Sequence, residues 1–538
     1  MINKFNFKTA CKLSLILLFF VCFSCKETKE KPSKEIEVAE NLSEDELKYR
    51  PLFHFTPKNN WMNDPNGMFY LNGKYHLYFQ HYPDDNVWGP MHWGHAVSED
   101  LINFEEQPIA LYPDEIGLIF SGSAVVDYNN TSGFGTEGKA PVVAIYTYHN
   151  MEGEKRGDID FQTQGIAYSL DEGMTWTKYS ENPVIKNPGI KDFRDPKVFW
   201  DNENSKWIMS LAAGNKIMFY SSVNLKEWKF ESEFGEEKGE HGGVWECPDL
   251  FPLKVKDSEE YKWALLVSIN PSGPNGGSAT QYFIGDFDGH EFTIDDKFSE
   301  QLDENKAVWL DYGRDNYAGV TWSNIPDTDG RKLFIGWMSN WDYARDVPTY
   351  KWRSTMTVPR ELNLVKKNNQ YLLKSIPVKE LNDFKSKTIE KDSIEPGELS
   401  NFFETAEIDF NRLNLEFNLK HLKENEYQII FNNRNGDSLI IGLNNNSKTI
   451  YLDRTKSGKV DFSEKFAPNI SRVKLSDMIN DAKFQILLDK TSVELFVNDG
   501  EIVMTELFFP NNPLDQISII SDDSDFIIKN LVISELNF

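Results

Sequence analysis

The chain has 538 residues, of which 40% are hydrophobic and 14% are aromatic, so it can fill more than one core. Its formal charge of −27 leaves no basic surplus to neutralise phosphate, which excludes nucleic acid and anionic lipid as binding partners and favours a neutral substrate. These properties predict two domains preceded by an export segment.

Residues 1–25 are predicted to be a signal peptide. Three lysines in this stretch precede an apolar segment at 13–23 that is too short to span a bilayer. The junction Ser24-Cys25 resembles a bacterial lipoprotein signal, in which a small residue precedes the cysteine that becomes lipidated. Cys25 is therefore the predicted lipid anchor, and ordinary cleavage with an incidental cysteine is the alternative.

The segment after the signal is predicted to be a flexible tether. Residues 26–47 are charged and poor in aromatic side chains, which is typical of a solvated chain. The sequence thus predicts a protein of the cell envelope, on its periplasmic face or outer surface, that associates with the membrane by the lipid anchor only. Cys25 and Cys247 alone remain after cleavage, so no intramolecular disulfide is expected.

The pattern of residues 48–365 is that of an all-β domain. Gly, Asn, Asp and Pro interrupt short β-prone runs, and no long stretch has helical periodicity. One kind of apolar strand recurs at 74–80, 142–148, 206–211, 262–268 and 332–337. A second kind of strand follows several of these, at 98–104, 169–176 and 222–228. Recurrence of such a unit five times predicts a five-bladed β-propeller, with a pair of sandwiches as the alternative.

The last third of the chain is predicted to form a second β domain. Residues 366–400 shift towards Lys, Asn, Glu and Ser, which is typical of a linker, either irregular or with strands of its own. Residues 401–538 again alternate between apolar and polar side chains, with turn signals such as 498–500. We predict a C-terminal β-sandwich here.

Asp64 lies where the backbone is predicted to have little freedom. It lies in the stretch Trp-Met-Asn-Asp-Pro-Asn-Gly at 61–67. Pro65 disfavours helical backbone at Asp64, and the following Asn-Gly pair tolerates positive φ. The stretch therefore predicts a tight turn that aims the carboxylate, although an ordinary turn between two strands has the same pattern.

Two further carboxylates, Asp195 and Glu246, also precede a proline by one or two residues. The repeat places Asp64, Asp195 and Glu246 in different blades, whose strand ends converge on one axial opening. Carboxylates brought together in an exported, aromatic-rich protein suggest acid/base and nucleophilic attack on a glycosidic bond. Calcium binding is the alternative, but no regular ladder of metal ligands is recognisable, so no metal is predicted.

The chain resembles glycoside hydrolase family 32, the family of invertases, levanases and inulinases. The resemblance rests on motifs that follow that family's order: 61–67, Tyr78-Phe79-Gln80, Trp88-Gly89, Phe120-Ser121-Gly122-Ser123, Phe193-Arg194-Asp195-Pro196, Trp245-Glu246-Cys247-Pro248 and Trp337-Met338-Ser339-Asn340-Trp341. It implies a five-bladed propeller followed by a β-sandwich, and hydrolysis of terminal β-fructofuranosyl bonds with retention and without a cofactor.

The same resemblance assigns roles to residues. It implies that Asp64 is the nucleophile, Glu246 the general acid/base and Asp195 a stabiliser of the transition state. The implied fructose pocket is lined by Asn63, Gln80, Trp88, Phe120, Ser121, Arg194 and Trp341. Arg194 is expected to keep the neighbouring Asp195 charged. Because the motifs end before residue 365, the sandwich is expected to be non-catalytic and packed against the propeller.

The expected substrates are levan, inulin and sucrose, with fructose released from the chain end. Residues 337–361 look more like bacterial levanases than plant invertases, which favours levan. An endo-acting levanase and a non-catalytic glycan-binding surface lipoprotein are the alternatives. A sialidase is suggested only by the stretch at 169–176, and it would need an arginine cluster that the acidic composition does not favour.

Overall fold

The structure is a computed structural model that describes residues 48–136 and 138–538. The predicted signal peptide, the tether and the lipidation site Cys25 lie outside the described residues. Within the described residues, no helix is long and apolar enough to cross a membrane. The fold is all-β, with a five-bladed propeller followed by a β-sandwich.

Each propeller blade is an antiparallel sheet of four main strands, with the first strand innermost. The first two blades contain β1 (Asn60–Leu71), β2 (Lys74–Tyr82), β3 (His92–Ser98) and β4 (Glu105–Leu111), then β5 (Leu118–Val126), β6 (Val142–His149), β7 (Gln162–Ser169) and β8 (Thr177–Lys178). The third and fourth contain β9 (Phe193–Asp201), β10 (Lys206–Ala213), β11 (Ile217–Ser222) and β12 (Lys229–Phe234), then β13 (Val244–Lys254), β14 (Tyr261–Asn270), β15 (Ala279–Phe287) and β16 (Phe292–Ile294).

The fifth blade closes the ring onto the first. Its strands are β17 (Tyr317–Thr321), β18 (Lys332–Met338), β21 (Arg360–Lys367) and β22 (Gln370–Pro377). Two short strands lie between β18 and β21, namely β19 (Trp352–Arg353) and β20 (Thr355–Met356). Strand β19 leaves the fifth blade and pairs in parallel with β1, so a segment of the last blade hydrogen bonds to the first.

The five predicted recurrent strands coincide with the second strand of each blade, β2, β6, β10, β14 and β18. The second predicted strand type is wrong, because 99–104 and 223–228 are turns between the third and fourth strands. In these turns the backbone N–H groups donate to a nearby side chain and not to a neighbouring strand. In the first blade, Asp100 accepts from the backbone of Ile102 and Asn103 at 2.8 and 2.7 Å. Asn224 does the same in the third blade.

In the described part of the chain, short helices lie between strands. They are α1 (Met151–Arg156), α2 (Asp296–Asn305) and α3 (Leu399–Ala406), together with 3-10 turns at Lys379–Phe384 and Pro396–Glu398. Helix α1 is inserted between β6 and β7, and Asn150 caps it by accepting from the Gly153 backbone. It therefore lies at the end of the second blade that faces the axial opening.

The C-terminal domain is a sandwich of two antiparallel sheets around one apolar core. One sheet has the order β23-β33-β24-β29-β30-β31, with β23 (Lys385–Ile394), β24 (Arg412–Lys420), β29 (Ala482–Asp489), β30 (Ser492–Val497), β31 (Ile502–Leu507) and β33 (Ile527–Leu536). The other has the order β28-β27-β26-β25-β32, with β25 (Glu426–Asn432), β26 (Ser438–Asn444), β27 (Thr449–Lys456), β28 (Ser471–Lys474) and β32 (Gln516–Ser521).

The predicted linker at 366–400 is mostly sheet. Strand β22 completes the fifth blade, and β23 is the edge strand of a sandwich sheet, which leaves 378–384 as the connection. The composition misleads because an edge strand such as β23 exposes most of its side chains, and charged side chains are common at such edges.

The sandwich packs directly on the propeller. The sandwich residues Leu487, Phe496 and Val503 belong to the same buried apolar cluster as Trp61 and Trp337 of the propeller. Buried ion pairs cross this interface as well. They include Arg360 with Glu494 and Asp315 with Arg454.

Candidate active site

The innermost strands β1, β5, β9, β13 and β17 contact one another in a ring around the propeller axis. Each carries a polar side chain near its beginning that belongs to the site, namely Asp64, Ser121, Asp195, Glu246 and Tyr317. The pairing of each strand with its neighbour is irregular at or beside that residue. The irregularities lie between Met62 and Pro65, Ile119 and Gly122, Glu246 and Asp249, and Tyr317 and Val320; for β9, the irregularity is on its partner β10, between Ser210 and Ala212. A bulge re-aims a side chain, so five bulges direct five side chains towards one opening.

The predicted turn at Asp64 is wrong, because 61–67 lies inside the continuous strand β1. What the Pro and Gly residues supply is the bulge: Gly67 has a φ of +52° within the strand. Proline has no backbone N–H and is tolerated where a strand has no neighbour to receive that hydrogen bond. Most of β1 pairs only with β2, so its other edge can accommodate Pro65. The prolines after Asp195 and Glu246 lie on innermost strands for the same reason.

Asp64 is held by two neutral donors. Ser121 Oγ donates to Asp64 Oδ2 at 2.6 Å, and Asn63 Nδ2 donates to Asp64 Oδ1 at 2.9 Å. Asn63 is itself fixed by Trp61, whose Nε1 donates to its Oδ1 at 2.7 Å. The carboxylate keeps part of its surface exposed, so its orientation is fixed while it faces the opening.

Glu246 is bound by a cation and a phenol. Arg194 donates to Glu246 Oε1 from Nη2 at 2.8 Å and from Nε at 3.1 Å, and Tyr317 Oη donates to Oε2. As expected, the charge of Arg194 favours the ionised form of Asp195, but its Nε lies 4.0 Å from Asp195 Oδ2, so its closest contacts are with Glu246 and Asp192. The reason is the bulge at Asp195, where a φ of +65° turns successive side chains in different directions.

Cys247 lies between the other two carboxylates. Its Sγ is 3.7 Å from Asp64 Oδ2 and 3.6 Å from Asp195 Oδ2, and its backbone N–H donates to Asp195 Oδ2 at 3.1 Å. Burial raises the pKa of Cys247, and the three surrounding carboxylates raise it further. The side chain is therefore a neutral thiol, and it supplies a weak donor instead of a nucleophile.

Crowding of the carboxylates perturbs their ionisation. Burial raises the pKa of Asp195 to about 7; Arg194 opposes this rise, and the charges of Glu246 and Asp64 add to it. Burial also raises the pKa of Asp64, although the hydrogen bonds from Ser121 and Asn63 oppose the rise. Perturbed carboxylates gathered in one opening are typical of a catalytic centre.

Asp195→Asn is expected to stabilise the free protein above pH 7. In the unfolded chain Asp195 ionises near pH 3.9, whereas in the folded protein it keeps its proton to about pH 7, so the folded state binds more protons between these values. The free energy of unfolding of the wild type should therefore fall across this window, by an amount on the order of a few kcal/mol. The uncharged amide of the variant does not titrate, so the variant should not lose stability in this way. The thermal midpoint of the wild type should therefore fall further below that of the variant as the pH rises from 4 to 8. If the thermal midpoints of the two proteins kept a constant difference over this pH range, the pKa of Asp195 would not be raised in the folded protein.

Aromatic side chains form part of the same cluster. Trp88, Phe120 and Trp341 are partly buried and pack on one apolar cluster with Trp61. Trp341 stacks on Trp61 with ring centroids 5.9 Å apart, and Trp88 contacts Phe120 edge-on at 6.1 Å. These rings leave some surface exposed, as a platform for the apolar face of a sugar requires.

The structure thus brings all ten predicted site residues to one end of the propeller, with Gln80 least exposed. Gln80 is 2% exposed and donates to Asn66 Oδ1 at 2.7 Å. The sequence reasoning missed Tyr317, Cys247 and Gln162. Tyr317 could have been found because it begins the fifth innermost strand, the repeat position at which other blades carry their polar residue.

No group of three or more His, Cys, Asp or Glu side chains in the described ranges has a geometry that could hold a metal ion. The described residues bring three carboxylates, one guanidinium, one phenol and one thiol together at this opening. A carboxylate pair of this kind can provide a nucleophile and a proton donor.

Comparisons with known proteins match both domains. The N-terminal domain model of glycosyl hydrolases family 32 matches residues 54–375, and the C-terminal model of the same family matches residues 375–535. A levanase of Bacillus subtilis is 46% identical over 91% of this chain and 70% of its own length. An extracellular exo-inulinase of Aspergillus niger is 40% identical over 88% of this chain and 92% of its own length.

Solved structures match the fold of the whole described chain. The crystal structure of an exo-inulinase from Aspergillus awamori has a TM-score of 0.78 at 35% identity and covers 91% of this chain and 98% of its own. A fructofuranosidase from Schwanniomyces occidentalis, complexed with fructose, has a TM-score of 0.81 at 34% identity and covers 92% of this chain and all of its own.

Proposed function

Since the chain belongs to glycoside hydrolase family 32, we propose that it removes terminal β-D-fructofuranosyl residues from levan, inulin and sucrose with retention of configuration. The observation that carries the proposal is the meeting of Asp64, Asp195 and Glu246 at one end of the propeller axis. Cys247 touches two of these carboxylates and is the direct neighbour of the third. Relatives named levanase and exo-inulinase support the fructan substrate.

In the proposed first step, Asp64 attacks the anomeric carbon of the terminal fructose. Its two hydrogen bonds from Ser121 and Asn63 favour the ionised form, which a nucleophile requires. The bond from the anomeric carbon to the leaving oxygen breaks as Glu246 gives that oxygen its proton. A fructosyl ester on Asp64 and a shortened fructan, or glucose from sucrose, are the products of this step.

In the proposed second step, Glu246 takes a proton from water, and the water oxygen displaces Asp64 from the anomeric carbon. Two inversions give net retention. Arg194 and Tyr317 donate to Glu246 and hold its carboxyl in place through both steps. Asp195 lies deeper, at 6% exposure, where it can accept hydrogen bonds from sugar hydroxyls.

Release of single fructose units is the proposed mode of attack. Trp88 and Trp341 line one side of the opening, and Arg194 and Asp195 line its polar side. One terminal fructose ring would use all of these contacts, which favours a pocket for a chain end. Incubation with levan, inulin and sucrose, with products separated in the first minutes, tests this directly. We expect fructose alone, with levan degraded faster than inulin.

A ladder of short fructo-oligosaccharides at early times would show an endo-acting levanase instead. Faster hydrolysis of inulin would reverse the linkage preference. Binding of the polymers without release of any sugar would identify the protein as a glycan-binding module. Glu246→Gln, which cannot supply the proton, is the matched inactive control.

We infer that the protein is a lipoprotein anchored at Cys25, because a short apolar signal ends at a small residue followed by cysteine. Cys25→Ser should move the protein from the membrane fraction to the soluble fraction of cells, with its activity on sucrose unchanged. Lysozyme-released and detergent-released fractions should be compared by immunoblot. Retention of the variant in the membrane fraction would refute the lipid anchor.

A further inference from the structure

His149, the last residue of β6, touches Phe120 of the proposed fructose pocket and Gln162, which contacts Arg194 of that pocket. Its ring lies parallel to that of Phe120, with centroids 4.1 Å apart and planes at 10°. On its other side, Gln162 Nε2 donates to His149 Nδ1 at 3.2 Å. Its side chain is only 5% exposed, so both contacts are made in a well-packed site.

Gln162 connects this histidine to Arg194. Gln162 Oε1 accepts from the backbone N–H of Phe193 at 2.8 Å and from Arg194 Nη1 at 3.4 Å, and Arg194 Nη1 also donates to Asp192 Oδ1 at 2.6 Å. These two donors fix which end of the amide is oxygen, so Nε2 must be the atom that faces His149. Arg194 in turn donates to Glu246, which completes a chain of contacts from His149 to the proposed acid/base.

The same logic fixes the state of the imidazole. Because Gln162 presents an N–H to Nδ1, Nδ1 must carry a lone pair, and the proton must sit on Nε2. Nε2 lies 3.1 Å from Glu154 Oε2 of helix α1, so it has a carboxylate acceptor. Burial lowers the pKa of His149; Glu154 opposes this and Arg194 adds to it, which agrees with a neutral ring.

We propose that neutral His149 is a positioning residue with two actions. It holds the ring of Phe120 in place by stacking, and through Gln162 it holds Arg194, which in turn holds Glu246. The inference rests on the proposed glycosidase function for its kinetic test. It explains why a buried histidine and a buried glutamine occupy this end of β6 and the beginning of β7. The two actions of His149 use different parts of the side chain, so they can be separated by mutation.

His149→Phe keeps a ring to stack on Phe120 but gives Gln162 no acceptor, which leaves a buried donor unpaired. We expect kcat on sucrose to fall about tenfold, the loss of roughly one hydrogen bond, with little change in KM. His149→Asn does the opposite, because its side-chain oxygen replaces Nδ1 while the ring is lost. We expect KM to rise about tenfold with kcat close to that of the wild type.

Matched controls come from helix α1. Glu154→Gln still accepts from Nε2 and should behave like the wild type in kcat and KM, whereas Glu154→Ala should resemble a mild form of His149→Phe. Glu152 lies on the same helix and pairs with exposed Lys155, so Glu152→Ala should leave both constants unchanged. The proposal would be overturned if both histidine variants lost kcat and KM equally and in proportion to the fall in their thermal midpoints. His149 would then contribute to stability alone.

A second measurement does not depend on hydrolysis. In protein labelled with 15N-histidine, NMR near pH 7 should show His149 as the neutral Nε2–H tautomer. A charged ring or the Nδ1–H tautomer would overturn the positioning role even if the wild type is active. An inactive wild type that shows the expected tautomer would refute the proposed function and leave the contact chain to Arg194 standing.

Discussion

Asp64→Ala is expected to lower the turnover of sucrose at least about 10⁴-fold, because no other group can form the covalent bond to the anomeric carbon. The loss should appear in kcat and not in protein stability, since the side chain lies at the opening and is partly exposed. Steady-state rates and thermal midpoints of the purified variant and the wild type measure both quantities.

Azide separates the two carboxylate roles. With a fructosyl donor that has a good leaving group, azide should enter the space left in Asp64→Ala and give α-fructosyl azide by one inversion. In Glu246→Ala, azide should instead attack the fructosyl ester on Asp64 and give the β-azide, since two inversions then occur. If the two variants gave azides of the same configuration, the assigned roles could not both be right.

Glu494→Ala is expected to destabilise the protein by about 3–5 kcal/mol, because it breaks a buried ionic cluster between the two domains. Glu494 Oε1 accepts from His54 Nε2 at 2.7 Å and from the Val358 backbone at 2.8 Å, and Arg360 donates to Oε2. Its removal leaves two buried cations of the propeller domain with too few acceptors. Urea unfolding followed by tryptophan fluorescence should show the shift in midpoint.

The matched control is Glu259→Ala, which breaks the exposed pair with Lys254 and should leave the urea midpoint close to that of the wild type. If Glu494→Ala cost no more than this control, the interface would not depend on its ion pairs. A soluble and fully active fragment ending near residue 377 would contradict the structural role of the sandwich altogether.

The same cluster predicts a pH dependence in the alkaline range. Burial alone would lower the pKa of His54, but hydrogen bonds and charges from Asp489 and Glu494 raise it to about 9. A raised histidine pKa gives stability that is complete below about pH 6.5 and is lost as the pH rises through 9. His54→Gln should abolish this loss in unfolding curves measured between pH 6.5 and pH 9.5.

Much of the propeller could be predicted because its blades repeat. Strands such as Lys206–Ala213 and Lys332–Met338 are central in their sheets, so burial on both faces gives them continuous apolar runs that stand out in the sequence. Edge strands such as Lys385–Ile394 lack this signal, because most of their side chains face solvent. That difference explains why the second strand of each blade stands out in the sequence and the strands within 366–400 do not.

The candidate site was predictable in its residues but not in its geometry. The prolines after Asp64, Asp195 and Glu246 are visible in the sequence, and they mark innermost strands instead of turns. The partner of Arg194 could not be predicted, because it depends on a positive φ at Asp195 that the sequence does not show. His54, Arg360 and Glu494 were also not found, since their contacts join residues more than 130 positions apart.

The central claim is that Asp64 becomes covalently bonded to fructose during the reaction. The direct measurement is rapid acid quenching of Glu246→Ala during turnover of an activated fructosyl donor, followed by peptide mass spectrometry. In this variant the breakdown of the ester is slow, so we predict one added fructosyl residue on the peptide that contains Asp64. An adduct on another residue, or continuing turnover with every peptide unmodified, would contradict the account.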